Sequence, residues 1–138
     1  MQPTILIVED ECMTVIALAF AAEDAGAMVI GPVATVSAAL ELLQTVKIDA
    51  AILDANLLDR DLTPVALRLI EDAVPFVIHS AVGLPADLSA VFPDVPQVAK
   101  PARPETVVRR LLPQRSHPDV NAPRAIAYAV VERHVSEP

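Results

Sequence analysis

With one cysteine, three glycines, three phenylalanines, one tyrosine and no tryptophan in 138 residues, the chain is poor in the residues that build several common sites. Cys12 alone can form no intramolecular disulfide and no cysteine-rich metal centre, which fits a reducing compartment. Three glycines and a single tyrosine leave neither a glycine-rich phosphate loop nor stacking faces for a flavin ring. Basic residues are also short. Ten Lys and Arg against eighteen Asp and Glu give a net charge of −8, and no basic run exceeds Arg109-Arg110, so the electrostatic footprint of a nucleic-acid binder is missing. No apolar run suffices for a signal peptide or a membrane span, since Ile5 to Val8 is cut off by Glu9-Asp10-Glu11. The chain reads as cytoplasmic, with an acid excess that favours solubility and cationic partners.

What is present is a 54% hydrophobic content dealt out in short pieces. Runs rich in Val, Ile and Leu alternate with stretches of helical period, the pattern of a parallel sheet covered by helices on both faces. The strands are predicted at Thr4 to Val8, Met28 to Gly31, Ala50 to Leu53, Phe76 to His79 and Gln97 to Ala99. The helices between them are predicted at Cys12 to Ala25, Val36 to Gln44, Pro64 to Asp72, Pro85 to Phe92 and Pro104 to Leu112. Gly26 suits a helix end, Thr35 or Ser37 a helix start, and Pro64 and Pro104 a first turn. The fourth helix is held to two turns at most by Pro85, Pro93 and Pro96. The expectation is one three-layer α/β domain, residues 1–112, with five βα units.

Residues 113–138 differ in character. Pro113, Pro118 and Pro123 punctuate a polar stretch, and Ala125 to Val131 is an apolar run whose period fits a short helix or a strand somewhere within 123–134. Acidic and basic side chains balance in this tail, so the net charge belongs to the domain before it. Ala125 to Val131 is its most apolar part and a candidate cover for the face formed by the fourth helix and fifth strand.

Catalytic groups in a parallel sheet collect at the carboxyl ends of the strands. Four apolar runs here end in polar residues: Glu9-Asp10, Asp54, Ser80 and Lys100. Two carboxylates ~4 Å apart at an effective dielectric of ~20 repel by about 4 kcal/mol, a cost that a hard divalent cation removes. Glu9, Asp10 and Asp54 therefore form a candidate Mg²⁺ site, beside which a phosphoryl group could be stabilised as it passes to an Asp54 oxygen. Lys100 suits a second phosphoryl oxygen and the Ser80 hydroxyl a third. His79, next to Ser80, can face the site or fill a packed position. His117 and His134 fall in the tail as solvated residues, Arg109-Arg110 in a last helical turn, and Cys12 at a helix start.

In Ile5-Leu-Ile-Val-Glu-Asp-Glu11, Asp54 with Asn56 two residues on, Ser80 and Lys100-Pro101, residues 4 to about 112 closely resemble the receiver domain of two-component response regulators. The resemblance implies a flavodoxin-like (βα)5 fold, in which Asp54 takes a phosphoryl group from a histidine kinase or phosphotransfer protein. It further implies that Glu9, Asp10, Asp54 and the Asn56 backbone carbonyl hold Mg²⁺, that Ser80 is a switch hydroxyl, and that the Lys100-Pro101 bond is cis. The implied protein is a single-domain response regulator, a phosphoacceptor and not an enzyme, which signals through protein contacts or serves as a phosphate sink. Gln97 stands where most receivers carry an aromatic switch residue, so coupled rotation of a hydroxyl and a ring is not expected. The segment Val74-Pro-Phe-Val-Ile-His-Ser-Ala81 resembles a Pro-Phe-x-x-x-Thr-Gly motif of alphaproteobacterial single-domain receivers in stress signalling, with Ser80 and Ala81 in place of Thr and Gly; Gly31-Pro-Val-Ala-Thr35 is similar to theirs too.

Two other classes share parts of this pattern. An aspartyl-nucleophile phosphohydrolase of the haloacid dehalogenase type also uses a strand-end Asp, a lysine and Mg²⁺, but wants a second Asp where Asn56 stands. A flavin-binding electron carrier of the same fold is disfavoured by the shortage of glycine and aromatics.

Overall fold

The computed structural model describes residues 2–57, 61–81, 83–92 and 94–112. Strands β1 (Thr4–Val8), β2 (Met28–Val33), β3 (Ala50–Asp54), β4 (Phe76–Ser80) and β5 (Gln97–Ala99) alternate with helices α1 (Cys12–Asp24), α2 (Val36–Thr45), α3 (Thr63–Glu71), α4 (Ala86–Val91) and α5 (Pro104–Leu111). The five strands form one parallel sheet in the order β2-β1-β3-β4-β5, a flavodoxin-like α/β fold. Because the chain leaves β1 toward one side and then returns to pair β3 on the other, a crevice opens above the carboxyl ends of β1 and β3. Glu9 and Asp10 follow the end of β1, and Asp54 is the last residue of β3. Among the described residues no helix is long and apolar enough to cross a membrane.

Strand alternation divides the core in two. Leu6, Val8, Leu53, Phe76 and Ile78 pack with residues of α2, α3 and α4, while Ile5, Ile7, Ile52, Val77 and Val98 pack with Leu18, Ala22, Val107, Val108 and Leu111 of α1 and α5. Continued by two residues, the second register carries Ile7 to Glu9, Ile52 to Asp54, Val77 to His79 and Val98 to Lys100. Ser80 follows Ile78 on the opposite register. One sheet parity thus collects the titratable residues at four strand ends.

Three strands differ from the sequence expectation, and each helix differs by one residue at one or both ends. The strand β2 runs through Pro32 to Val33 instead of stopping at Gly31, because it is an edge strand and a missing N–H on its outer side breaks no ladder bond. The register slips between Leu6 and Val8 to accommodate it, and Glu9 N–H donates to the Val33 carbonyl at 2.9 Å. Gly31, at φ +91°, is needed there: a Cβ would sit 3.0 Å from the Val33 nitrogen. Strands β3 and β4 each run one residue further than predicted, to Asp54 and Ser80 themselves. At the start of α2 it is Thr35 whose hydroxyl caps, accepting from Ala38 N–H at 3.1 Å. Residues 113–138, for which a short helix or strand was expected, lie outside the described residues.

Two helices end in the same paired-bond motif with different residues. After α1, Ala27 N–H bonds to Ala22 and Gly26 N–H to Glu23, with Gly26 at φ +91°. After α3, Val74 bonds to Leu69 and Ala73 to Ile70, but the left-handed position is Ala73, at φ +55°. A side chain in that conformation costs roughly 1 kcal/mol that glycine does not incur. Ala73→Gly is therefore expected to stabilise the fold by about 0.5–1 kcal/mol in urea unfolding; a loss of stability would show that Ala73 is not strained.

Candidate functional site

Lys100 lies at the centre of the strand-end cluster. Its Nζ sits 3.2 Å from Asp54 Oδ1 and 3.3 Å from Glu9 Oε1, bridging groups 46 and 91 residues away in sequence. Asp54 and Glu9 are buried, at 4% and 3% exposure, so these pairs are shielded from solvent in a way that surface pairs are not. The Lys100-Pro101 bond is cis. Lys100 N–H donates to the Ser80 carbonyl at 2.8 Å, so the ammonium springs from a backbone fixed against β4.

Each carboxylate is oriented by neighbouring backbone. Asp54 Oδ1 accepts the Asn56 N–H at 3.1 Å. Glu9 Oε2 accepts the N–H of Asp10 at 3.1 Å and of Glu11 at 3.4 Å. One ligand oxygen from each of Glu9, Asp10 and Asp54 falls within 4.8 Å of the others, close enough for a single cation to touch all three. Burial, and after it the hydrogen bond to Asp54 and the charge on Asp54, push the Glu9 carboxyl up to about 7. At Asp54 burial acts in the raising direction too, but hydrogen bonds with Glu9, the Asn56 N–H and Lys100 outweigh it and hold the group below the ordinary carboxylate range. Lys100 is opposed by burial, yet its hydrogen bond to Asp54 and the charges of Glu9 and Asp54 raise it. The cluster thus holds an ionised Asp54, an ammonium, and a Glu9 that loses its proton only near neutrality. A divalent cation is the group that such a set of oxygens accommodates, because it would supply the charge that Glu9 now meets by binding a proton.

Ser80, the last residue of β4, is buried. Its hydroxyl donates to the Gly83 carbonyl at 2.8 Å and accepts Gly83 N–H at 2.9 Å, a reciprocal pair that closes the β4–α4 loop on itself. No sequence pattern announced this partner, although a hydroxyl three residues before a glycine is a recognisable turn signal. Gln97 is half-buried on β5, paired in register with Ile78.

The strand chosen by His79 settles the question its sequence left open. It is 5% exposed, is the register partner of Asp54, and shares the sheet parity of Asp54 and Lys100. Among the described residues neither ring nitrogen has a hydrogen-bond partner. Burial, then the Lys100 charge, hold its pKa below the usual value of 6.5 against a smaller opposing pull from Asp54. A base depressed in the folded state is protonated first in the unfolded chain, so its contribution is intact above about pH 6.5 and is lost as pH falls through the folded value. His79→Leu should therefore gain stability relative to the parent protein, by about 1–2 kcal/mol at neutral pH and more as pH falls toward 5. A gap that stays constant with pH would show that the imidazole is not what titrates.

No protein-family model and no curated protein sequence matches this chain. Solved structures do. SdrG from Sphingomonas melonis Fr1, in solution, is 32% identical over 94% of this chain and 96% of its own, with a TM-score of 0.66. SdrG is a single-domain receiver. The chain belongs to the response-regulator receiver family. A response regulator receiver protein from Sinorhizobium medicae WSM419 is 26% identical over 78% of this receiver and 89% of its own chain, with a TM-score of 0.65. At 17% identity the CheY-like receiver domain of Methanospirillum hungatei JF-1 shares the fold, with a TM-score of 0.69 over 80% of this chain and 90% of that one. The receiver places Glu9, Asp54 and Lys100 in direct contact and Asp10 beside them, while the Ser80 hydroxyl bonds to Gly83 and Gln97 lies half-buried on β5.

Proposed function

We propose that this receiver is a single-domain response regulator that accepts a phosphoryl group on Asp54 from a phosphohistidine of a kinase or phosphotransfer protein. The observation that carries the reading is the meeting of buried Glu9 and Asp54 with partly exposed Asp10 and Lys100 at the carboxyl end of the sheet. An Asp54 oxygen forms a bond to phosphorus as the donor's N–P bond breaks, and the imidazole departs with that electron pair and takes up a proton. Asp54 is fit for attack because it is ionised and pinned by the Asn56 N–H. Lys100 is already within hydrogen-bond reach of the nucleophile and needs only a small shift to neutralise the new phosphoryl oxygens. Glu9, Asp10, Asp54 and the Asn56 carbonyl would hold Mg²⁺, which supplies further charge neutralisation at the transferring group. For the Ser80 hydroxyl to donate to a phosphoryl oxygen it must give up Gly83, so phosphorylation would be felt first in the β4–α4 loop. With Gln97 in place of a ring, that loop is the route outward.

The 32% identity to SdrG supports action through contacts with another protein or as a phosphate sink. It also supports the alphaproteobacterial single-domain subfamily suggested by residues 74–81. The chain serves as phosphoacceptor and not as an enzyme with a separate substrate; the haloacid dehalogenase alternative fails for want of a general acid, because Asn56 has no proton to shuttle. Mg²⁺ at 100 times its Kd should add about 2.7 kcal/mol to stability, visible as a rise of several degrees in Tm, and Asp10→Asn should shrink that rise and slow labelling by acetyl phosphate. A Tm indifferent to millimolar Mg²⁺ would remove the metal from the mechanism.

A further inference from the structure

The outer face of α1 is apolar. Met13 is 74% exposed, Ile16 53% and Phe20 72%, at spacings of three and four residues that place them in one stripe, with exposed Cys12 at its upper end. The inner face is apolar too: Leu18, Ala21 and Ala22 are buried in the core. Of the six large hydrophobic side chains exposed among the described residues, three are on this stripe, and only Val91 is on the side of α4. The face of the fourth helix and fifth strand, where a cover was expected, thus offers fewer large exposed apolar side chains than α1 does.

We infer that residues 125–131 of the same chain dock on the α1 stripe. Helix α5 packs beside α1 in a shared core and ends at Leu111, so the chain leaves the described fold next to this helix. Both helices return from the carboxyl end of the sheet and finish at its other end, near Phe20. The stripe from Met13 to Phe20 is roughly 10 Å long, and the twelve residues between Leu112 and Ala125 can span up to about 40 Å. Length therefore places no obstacle to a contact in cis. Ala125-Ile-Ala-Tyr-Ala-Val-Val131 carries no charge and offers Ile126, Tyr128 and Val130 to the stripe. The charges match at one border: Glu11, Glu23 and Asp24 bracket the stripe with no Lys or Arg on α1, while Arg124 precedes the docking segment and the Glu132-Arg133 pair after it carries no net charge. The contact does not depend on the phosphoryl reading.

Cys12, the sole thiol, reports on the contact in the full chain. Its rate of reaction with an aromatic disulfide reagent is compared between the parent protein and the double variant Ile126→Asp, Val130→Asp, which alters no residue of the described fold. The variant is expected to react about sixfold faster, as required if covered chains outnumber open ones about five to one, with both proteins monomeric by light scattering. Equal rates overturn the inference. A parent protein that is dimeric, with thiol protection lost on dilution, overturns the cis contact in favour of a second copy. A nitroxide on Cys12 supplies the direct check: residues 125–131 should be broadened in isotopically diluted samples, and sharp signals there would sink the proposal.

Discussion

Asp54→Asn is expected to leave the protein folded and to abolish phosphoryl labelling by acetyl phosphate or a kinase. The amide keeps the shape of the carboxylate and can still accept the Asn56 N–H, while the anionic nucleophile is gone. Glu9 is no substitute, because burial keeps it protonated up to about pH 7 and both of its oxygens already have partners. Intact-mass measurement after acetyl phosphate treatment should show a one-phosphoryl increment for the parent protein and none for the variant. Full labelling of the variant would place the acceptor elsewhere and cancel the proposed chemistry.

Lys100→Met is expected to be the most destabilising single change in the site. It removes the cation that both Asp54 and Glu9 contact and leaves two buried carboxylates facing each other; stranding a buried charge typically costs about 3–5 kcal/mol. With Lys100 partly exposed, about 3 kcal/mol is expected. The sign of the pH dependence follows from Glu9. Its folded pKa, about 7, lies above the ordinary 4.5, so stability associated with it is greatest below 4.5 and is lost as pH rises through 7. Without Lys100 this trend steepens, since the Glu9 carboxylate then forms with no ammonium beside it. Asp54, held low, works in the other sense only at acid pH, where its own protonation removes what it contributes. Urea unfolding should thus show a large penalty for Lys100→Met at about pH 8, a small one at about pH 5, and recovery at about pH 8 on adding Mg²⁺. A penalty identical at both pH values would mean that Lys100 matters for packing alone.

These two variants also mark how far the sequence could be read. The strands and the residues at their ends were legible because a sheet buried on both faces needs short uninterrupted apolar runs, and a run that ends abruptly in Glu9, Asp54 or Lys100 is conspicuous. That the three would converge followed from parallel topology. What was not legible was their pairing: the Lys100 contact to Glu9 spans 91 residues and is fixed by strand order and register, which no local spacing encodes. The extension of β2 was hidden by Pro32, since proline stops an interior strand but not one at an edge. In α1 the reverse problem arose. A helix of Met, Val, Ile, Leu, Ala and Phe with few polar residues has no polar face to point outward, so only the packed structure shows that Met13, Ile16 and Phe20 are left in solvent. His79 was ambiguous because strand parity is meaningful only once the strand's neighbours are known.

The margins of the sheet bear on how copies of this protein behave when crowded together. An open strand margin is a template for another chain, and proteins blunt it with short strands or with proline. Here β5, at one side, is three residues long, and β2, at the other, carries Pro32 with no N–H to offer. Neither presents a continuous row of donors and acceptors for a foreign strand to zip onto. Concentrated solutions should therefore resist fibrillar growth from the folded state, and self-association, where it occurs, is left to the helical surfaces, which can separate again without unpicking backbone hydrogen bonds.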